Sequence, residues 1–196
     1  MAKHKGKFRA FEFLGNVAIV NFPRDYKEKD KKKYAQQLLK RHNSIKTVLE
    51  KKGNIKGRLR KIPIRYLAGE KTKEVLYREN DCVFRFNIDK TFFSARLSNE
   101  RKEIAEGIKA KDKVLVMFAG VAPYSIAIAK LSGASVYSNE INREANKYAR
   151  LNAELNKVKN KIVFLDGDIK KVALKLKGQG KKFTVIVMPR PQLKDT

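Results

Sequence analysis

The run Val114–Glu140, VLVMFAGVAPYSIAIAKLSGASVYSNE, decides how this chain folds. Val114 to Met117 is an apolar stretch of strand length, and Phe118-Ala119-Gly120-Val121-Ala122-Pro123 is a turn of small residues. Ser125 to Leu131 has the apolar spacing of a helix packed on a sheet. Ala134 to Asn139 reads as a second strand, with Glu140 at its carboxyl end. Strand, turn, helix, strand and acid in that order are the frame of a nucleotide-binding βαβ unit. Gly120 lets the backbone come close to a ligand. Glu140, 20 residues further on, stands where an acid accepts hydrogen bonds from ribose hydroxyls. A strict G-x-G-x-x-G would need glycines at Ala122 and Ser125, so a nicotinamide dehydrogenase ranks low. A one-glycine turn suits an adenosine-type ligand without a pyrophosphate. The plain alternative is a βα turn in some other α/β domain.

Downstream the alternation continues, with helix 142–155, strand 161–165, helix 168–177 and strand 183–188. This spacing predicts a parallel sheet with helices on both faces. A helix from Ser98 to Ile108 precedes it, with Ser98 as its cap and Glu100 in its first turn. Arg101 stands where a full capping box would have an acid. Doubly wound sheets usually run on for two or three more strands, so the end at Thr196 is expected to cut the fold short. Upstream lies a β-rich module with one helix. Ala10–Phe22 is a hairpin around Leu14-Gly15-Asn16, and Asp25–His42 is a helix. Tyr34, Leu38, Leu39 and the stem of Arg41 share a face of that helix, while Lys27–Lys33 is expected to be solvated. Ile45–Glu50, Arg58–Leu67, Glu74–Arg78 and Cys82–Ile88 are strands, Pro63 marking an edge or a bulge. The fold class is therefore α/β: a small β-rich α+β domain over 1–95, followed by a Rossmann-like domain over 96–196.

The chain has 46 Lys+Arg against 20 Asp+Glu, a net charge of +26. An excess of this size implies a polyanionic partner, nucleic acid first. A hot habitat is a competing reason for part of this lysine richness. Arg58, Arg60, Lys61 and Arg65 crowd one short stretch and point to phosphate contacts. There is no 18-residue apolar run and no signal-peptide core, so a cytoplasmic protein without a membrane partner is expected. One cysteine, Cys82, and two distant histidines, His4 and His42, argue against a disulfide framework and a metal site. A monomer is expected.

Three strand ends carry the candidate chemistry. Gly120 follows the first strand of the parallel sheet, Glu140 the second and Asp168 the third; ligands of open α/β sheets sit over such ends. Asp168 faces an adenine amino group, or caps the following helix, or does both. Pro189, after the fourth strand, walls the pocket where a substrate base enters.

MFAGVAPYSI, VYSNEINREANKYARLNAELNKV and FLDGDIKKV resemble the cofactor motifs of the archaeal and eukaryotic tRNA guanosine-37 N1-methyltransferase family. FEFLGNVAIVNFP, IKTVLEKKGNIKGRLR, YLAGE and FFSARLSNERKEIAE resemble that family's second domain and its junction with the catalytic domain. The resemblance runs from about Phe11 to Pro191. It implies a class I methyltransferase, S-adenosylmethionine as cofactor and a tRNA anticodon loop as substrate. It further implies Glu100 as general base toward guanine N1 and Arg60 as the arginine that holds the guanine. By the same resemblance the cofactor meets Arg101, Phe118, Gly120, Glu140, Ile141, Asp168, Ile169 and Pro189. Two positions depart from the family pattern: Val116 replaces an acid, and Pro189-Arg190-Pro191 replaces an asparagine-led motif. No stretch of this sequence resembles the family's tRNA-elbow domain. A tRNA-binding relative without turnover and an aminocarboxypropyl transferase of wyosine synthesis are the rival readings.

Overall fold

The computed structural model describes residues 11–53, 57, 59 and 62–189. They fall into two compact units, one of Met1–Tyr77 with Asn87–Asp89, the other of Arg78–Phe86 with Lys90–Thr196.

In the first unit β1 (Phe11–Leu14), β2 (Val17–Val20), α1 (Glu28–Arg41), β3 (Thr47–Lys51) and β4 (Ile64–Gly69) follow in order. The sheet order is β1-β2-β3-β4. β2 and β3 are parallel, while the other two pairs are antiparallel. A parallel pair needs a long crossover, and α1 supplies it. The β1–β2 hairpin turns at Gly15, whose φ is +59°, and a Cβ there would lie 1.9 Å from the Leu76 carbonyl oxygen. Both the backbone angle and the contact therefore demand glycine. The helix packs Ala35 and Leu38 on Ala18, Val20, Val48, Leu67 and Ala68.

β4, which starts at Ile64 just past Pro63, is an edge strand of this sheet, as the proline predicts. The register shift is not at Pro63 but in the pairing with β3, between Val48 and Leu49. Proline has no N–H for the ladder, so the strand begins after it. Nor is the lysine run wholly solvated. Lys31 is 5% exposed and Glu50 3%, and they pair at 2.9 Å. Arg65 binds the same Glu50 at 2.5 Å and Glu28 at 2.7 Å. A buried charge needs a partner, and this cluster provides one for each member. Arg65, though partly exposed, is thereby paired with two carboxylates of its own unit.

β5 (Glu74–Glu79) and β6 (Cys82–Asn87) form a two-stranded sheet. In the second unit come α2 (Ser98–Gly107), β7 (Lys113–Val116), α3 (Pro123–Leu131), β8 (Ser135–Glu140), α4 (Arg143–Leu155), β9 (Ile162–Asp166), α5 (Ile169–Gly178) and β10 (Val185–Val187). The sheet order is β10-β7-β8-β9, all parallel. Val114, Val116 and Val136 in the sheet and Ile126, Ile128 and Ala129 on α3 are wholly buried.

The units divide at Tyr77, not at 95/96, because the hairpin tip belongs to the second unit. Asn156 exchanges two hydrogen bonds with the Val83 backbone, at 2.9 and 2.7 Å. Asn152 accepts from the Arg85 amide at 2.7 Å. Side-chain amides of α4 thus serve β6 as a neighbouring strand would. Ser98 is the first helical residue of α2 and not its cap; that place falls to Leu97, which makes no side-chain cap bond. The Ser98 carbonyl and hydroxyl accept from Asn80.

Candidate active site

The strand order reverses at β7, with β8 on one side and β10 on the other. Such a switch point opens a crevice over the carboxyl ends of the strands. The turn leaving β7 is contorted: φ is positive at Phe118, Gly120 and Ala122. Non-glycine residues rarely adopt that region, and where they do the surroundings hold them there. Here the Ala119 amide donates to the Asn139 carbonyl at 2.8 Å, and Asn152 donates to the Val121 carbonyl at 3.1 Å. Pro123 opens α3 at a position where its missing N–H costs nothing.

Glu140 ties the turn to β8. One carboxylate oxygen, Oε2, accepts the Gly120 amide at 2.7 Å. The other, Oε1, accepts the amides of Ile141 and Asn142 at 2.8 and 2.7 Å. A carboxylate has about four lone-pair sites, so Oε2 keeps one for a ribose hydroxyl. A second hydroxyl would have to displace the Gly120 amide. Next to it, Asn139 donates to the carbonyls of Leu165 and Gly167 at 2.7 and 3.0 Å. Gly167 in turn donates its amide to the Glu140 carbonyl. The ends of β7, β8 and β9 are thereby one hydrogen-bonded ledge. Asp168 caps α5 by accepting the Lys170 amide at 2.8 Å, and Ile169 begins that helix.

Glu100 and Pro189 share a cleft of about 330 Å³, with Ile104 and the run Val185–Met188. Tyr124, 3% exposed, donates its hydroxyl to Glu100 Oε1. Burial, and then the Glu100 carboxylate, push the ionisation of this phenol far above its ordinary value. A second cleft of about 320 Å³, against β9 and α5, is lined by none of the residues predicted for the site.

The resemblance puts Arg101 at the cofactor, but in the structure it is 1% exposed. Its guanidinium forks onto Glu79 at 2.5 and 2.7 Å and donates to the Ser94 carbonyl at 2.9 Å. The rings of Phe93 and Tyr124 lie 5.1 and 5.6 Å from it. Burying a charge demands such pairing, so Arg101 belongs to the scaffold behind Glu100. Val116, where the family pattern has an acid, is wholly buried in β7, where a carboxylate would be costly. Arg60, with Arg58 and Lys61, lies outside the described residues, as do Arg190 and Pro191. The asparagines of α4 and Tyr124 escaped the sequence reading. Asn146 and Asn152 lie within α4 and Asn142 and Asn156 cap its two ends, and all four are buried. Among the described residues no group of three or more His, Cys, Asp or Glu is gathered, and no helix is long and apolar enough to cross a membrane.

A parallel sheet with its switch point at β7, a strained one-glycine turn and an acid ending β8 define a Rossmann-like nucleotide-cofactor domain. The chain belongs to the TRM5/TYW2 methyltransferase family: residues 75–194 match its methyltransferase domain, and residues 2–72 match the TYW2 N-terminal domain. It is 38% identical over 145 residues to the tRNA (guanine(37)-N(1))/4-demethylwyosine(37)-methyltransferase Taw22 of Nanoarchaeum equitans, covering 74% of this chain and 48% of that protein. It is 31% identical over 189 residues to the tRNA 4-demethylwyosine(37)-methyltransferase Taw21 of Saccharolobus solfataricus, covering 96% of this chain and 70% of that one. Among solved structures, that of aTrm5 in complex with tRNALeu superposes with a TM-score of 0.80 at 28% identity. It covers 93% of this chain and 52% of that one. The chain thus spans about half the length of several relatives.

Proposed function

We propose that this chain carries the catalytic part of an S-adenosylmethionine-dependent tRNA methyltransferase that methylates N1 of guanosine 37. The observation that carries this reading is the cleft shared by Glu100 and Pro189 beside β10, in a domain whose β8 ends in a backbone-anchored acid. The residues present fit the cofactor: Glu140 keeps a lone pair for a ribose hydroxyl, and the turn at Gly120 bears no side chain. When bound, S-adenosylmethionine supplies a methyl group made electrophilic by its sulfonium. Neutral guanine carries a proton on N1, and that proton leaves as N1 bonds to the methyl carbon. Glu100 accepts it, while the electron pair of the broken S–C bond stays on sulfur. A placed base of this kind contributes about 10²–10⁴-fold. Phe118, Ile141, Asp168 and Ile169 would hold the cofactor together with Glu140, and Arg60 would hold the guanine.

The relatives named for 4-demethylwyosine, together with the match to the TYW2 N-terminal domain, favour a second reading in which the acceptor is a wyosine precursor. Incubation with methyl-labelled cofactor and tRNA transcripts bearing guanosine 37, followed by nucleoside analysis, tests the first. Labelled 1-methylguanosine supports it. Label only on tRNA already carrying the tricyclic precursor moves the assignment to the second.

A further inference from the structure

We propose that Tyr124 is a positioning residue for this reaction, its buried hydroxyl holding Glu100 Oε1 so that Oε2 is presented to the substrate proton. This rests on the reading of Glu100 as the base. Glu100 sits in the first turn of α2 and has a flexible side chain. Left alone it would sample several rotamers, most of them unproductive. Tyr124 is the second residue of α3, one past the proline that starts the helix at the cofactor turn. Its ring is buried and lies 5.6 Å from the Arg101 guanidinium, which is bonded in turn to Glu79 and Ser94. A rigid chain of contacts therefore runs from Glu79 through Arg101 and Tyr124 to Glu100. The phenol is also a dependable donor. Its ionisation is pushed upward by burial and then by Glu100, so it keeps its proton across the working pH range. The substrate proton consequently ends on Glu100 and not on tyrosine.

Tyr124→Phe removes one hydroxyl and keeps the ring over Arg101. Single-turnover methyl transfer is measured with saturating cofactor and tRNA, in the full chain and again with Glu100→Gln. The expected result is a fall of about 10–10²-fold from Tyr124→Phe alone, with both dissociation constants unchanged and no further fall in the Glu100→Gln background. Two results overturn the proposal while sparing Glu100: an unchanged rate, or equal losses in both backgrounds. A wild-type rate for Glu100→Gln removes the base itself, and with it anything for Tyr124 to position. A crystal structure of Tyr124→Phe gives a second readout independent of turnover. A displaced Glu100 carboxylate supports the proposal, and an unmoved one overturns it.

Discussion

The Gly120 amide donates to the Glu140 carboxylate over 2.7 Å, so the acid that ends β8 also holds the turn that follows β7. Glu140→Ala removes the proposed ribose acceptor and an anchor of the turn together. Hydrogen bonds to charged groups are worth about 1.5–3 kcal/mol, so S-adenosylmethionine binding by calorimetry should weaken about 10–100-fold. Glu140→Gln should lose nearly as much if its NH₂ takes the Oε2 position, since that group cannot accept the Gly120 amide. Unchanged affinity in a folded variant would move the ribose elsewhere.

Asn152 is expected to be among the costliest polar residues of α4. It bridges the Val121 carbonyl and the Arg85 amide and is wholly buried. Asn152→Ala leaves both groups without that partner, at about 1–3 kcal/mol each. Asn152→Asp still accepts from Arg85 but donates nothing to Val121, so it should also destabilise. Denaturant unfolding measures both, and a loss below about 0.5 kcal/mol for the alanine variant would mean that water substitutes for the amide.

In the first unit, pH dependence follows from the Glu50 cluster. Burial alone would raise the Glu50 carboxyl, but the bonds from Lys31 and Arg65 outweigh it and hold it below its ordinary value. Lys31 is raised, chiefly by its bond to Glu50. A depressed carboxyl stabilises the fold above the unfolded value near 4.5, and that contribution fades as pH falls through the folded value. A raised lysine stabilises below the unfolded value near 10.5 and fades as pH rises through the folded value. This cluster's contribution to stability should accordingly stay level between about pH 5 and 10 and fall at both ends. Glu50→Gln should cost about 3–5 kcal/mol, whereas replacing Lys31 and Glu50 together by Met and Leu should recover most of it. A melting temperature indifferent to the single change would refute the cluster's role.

Binding to tRNA should show the signature of phosphate contacts, its log affinity falling linearly with log salt by about 0.7–0.9 per phosphate neutralised. Arg65→Ala should destabilise the first unit yet leave that slope unaltered, since Arg65 is engaged with Glu28 and Glu50. A slope reduced by about one unit in this variant would return Arg65 to the RNA surface.

The parallel sheet was legible in the sequence because strand-length segments, most of them apolar, alternate with turns and helical periods. The position of Glu140 at the end of β8 was legible for the same reason, since it is set by counting from the glycine turn. What escaped depended on partners distant in the chain. Nothing local tells Arg65 from Arg58, yet a fold that brings Glu50 and Glu28 beside it engages it in ion pairs. Arg101 was expected at the cofactor by resemblance, and the acid that claims it, Glu79, lies 22 residues away. Lys31 sits in a run of lysines, and only the crossover of α1 onto β3 shows which of them is buried. The parallel pairing of β2 with β3 was implicit in strand, helix and strand following one another, although the module read simply as β-rich.

The most direct measurement is the single-turnover rate of Glu100→Gln at two pH values, with tRNA and S-adenosylmethionine saturating. If Glu100 takes the guanine proton, the rate at neutral pH should fall about 10²–10⁴-fold while both ligands bind as before. The deficit should narrow at higher pH, where guanine N1 gives up its proton unaided. A variant as fast as wild type at neutral pH would remove Glu100 from the chemistry and leave it as an acid favouring the start of a helix, worth less than about 1 kcal/mol.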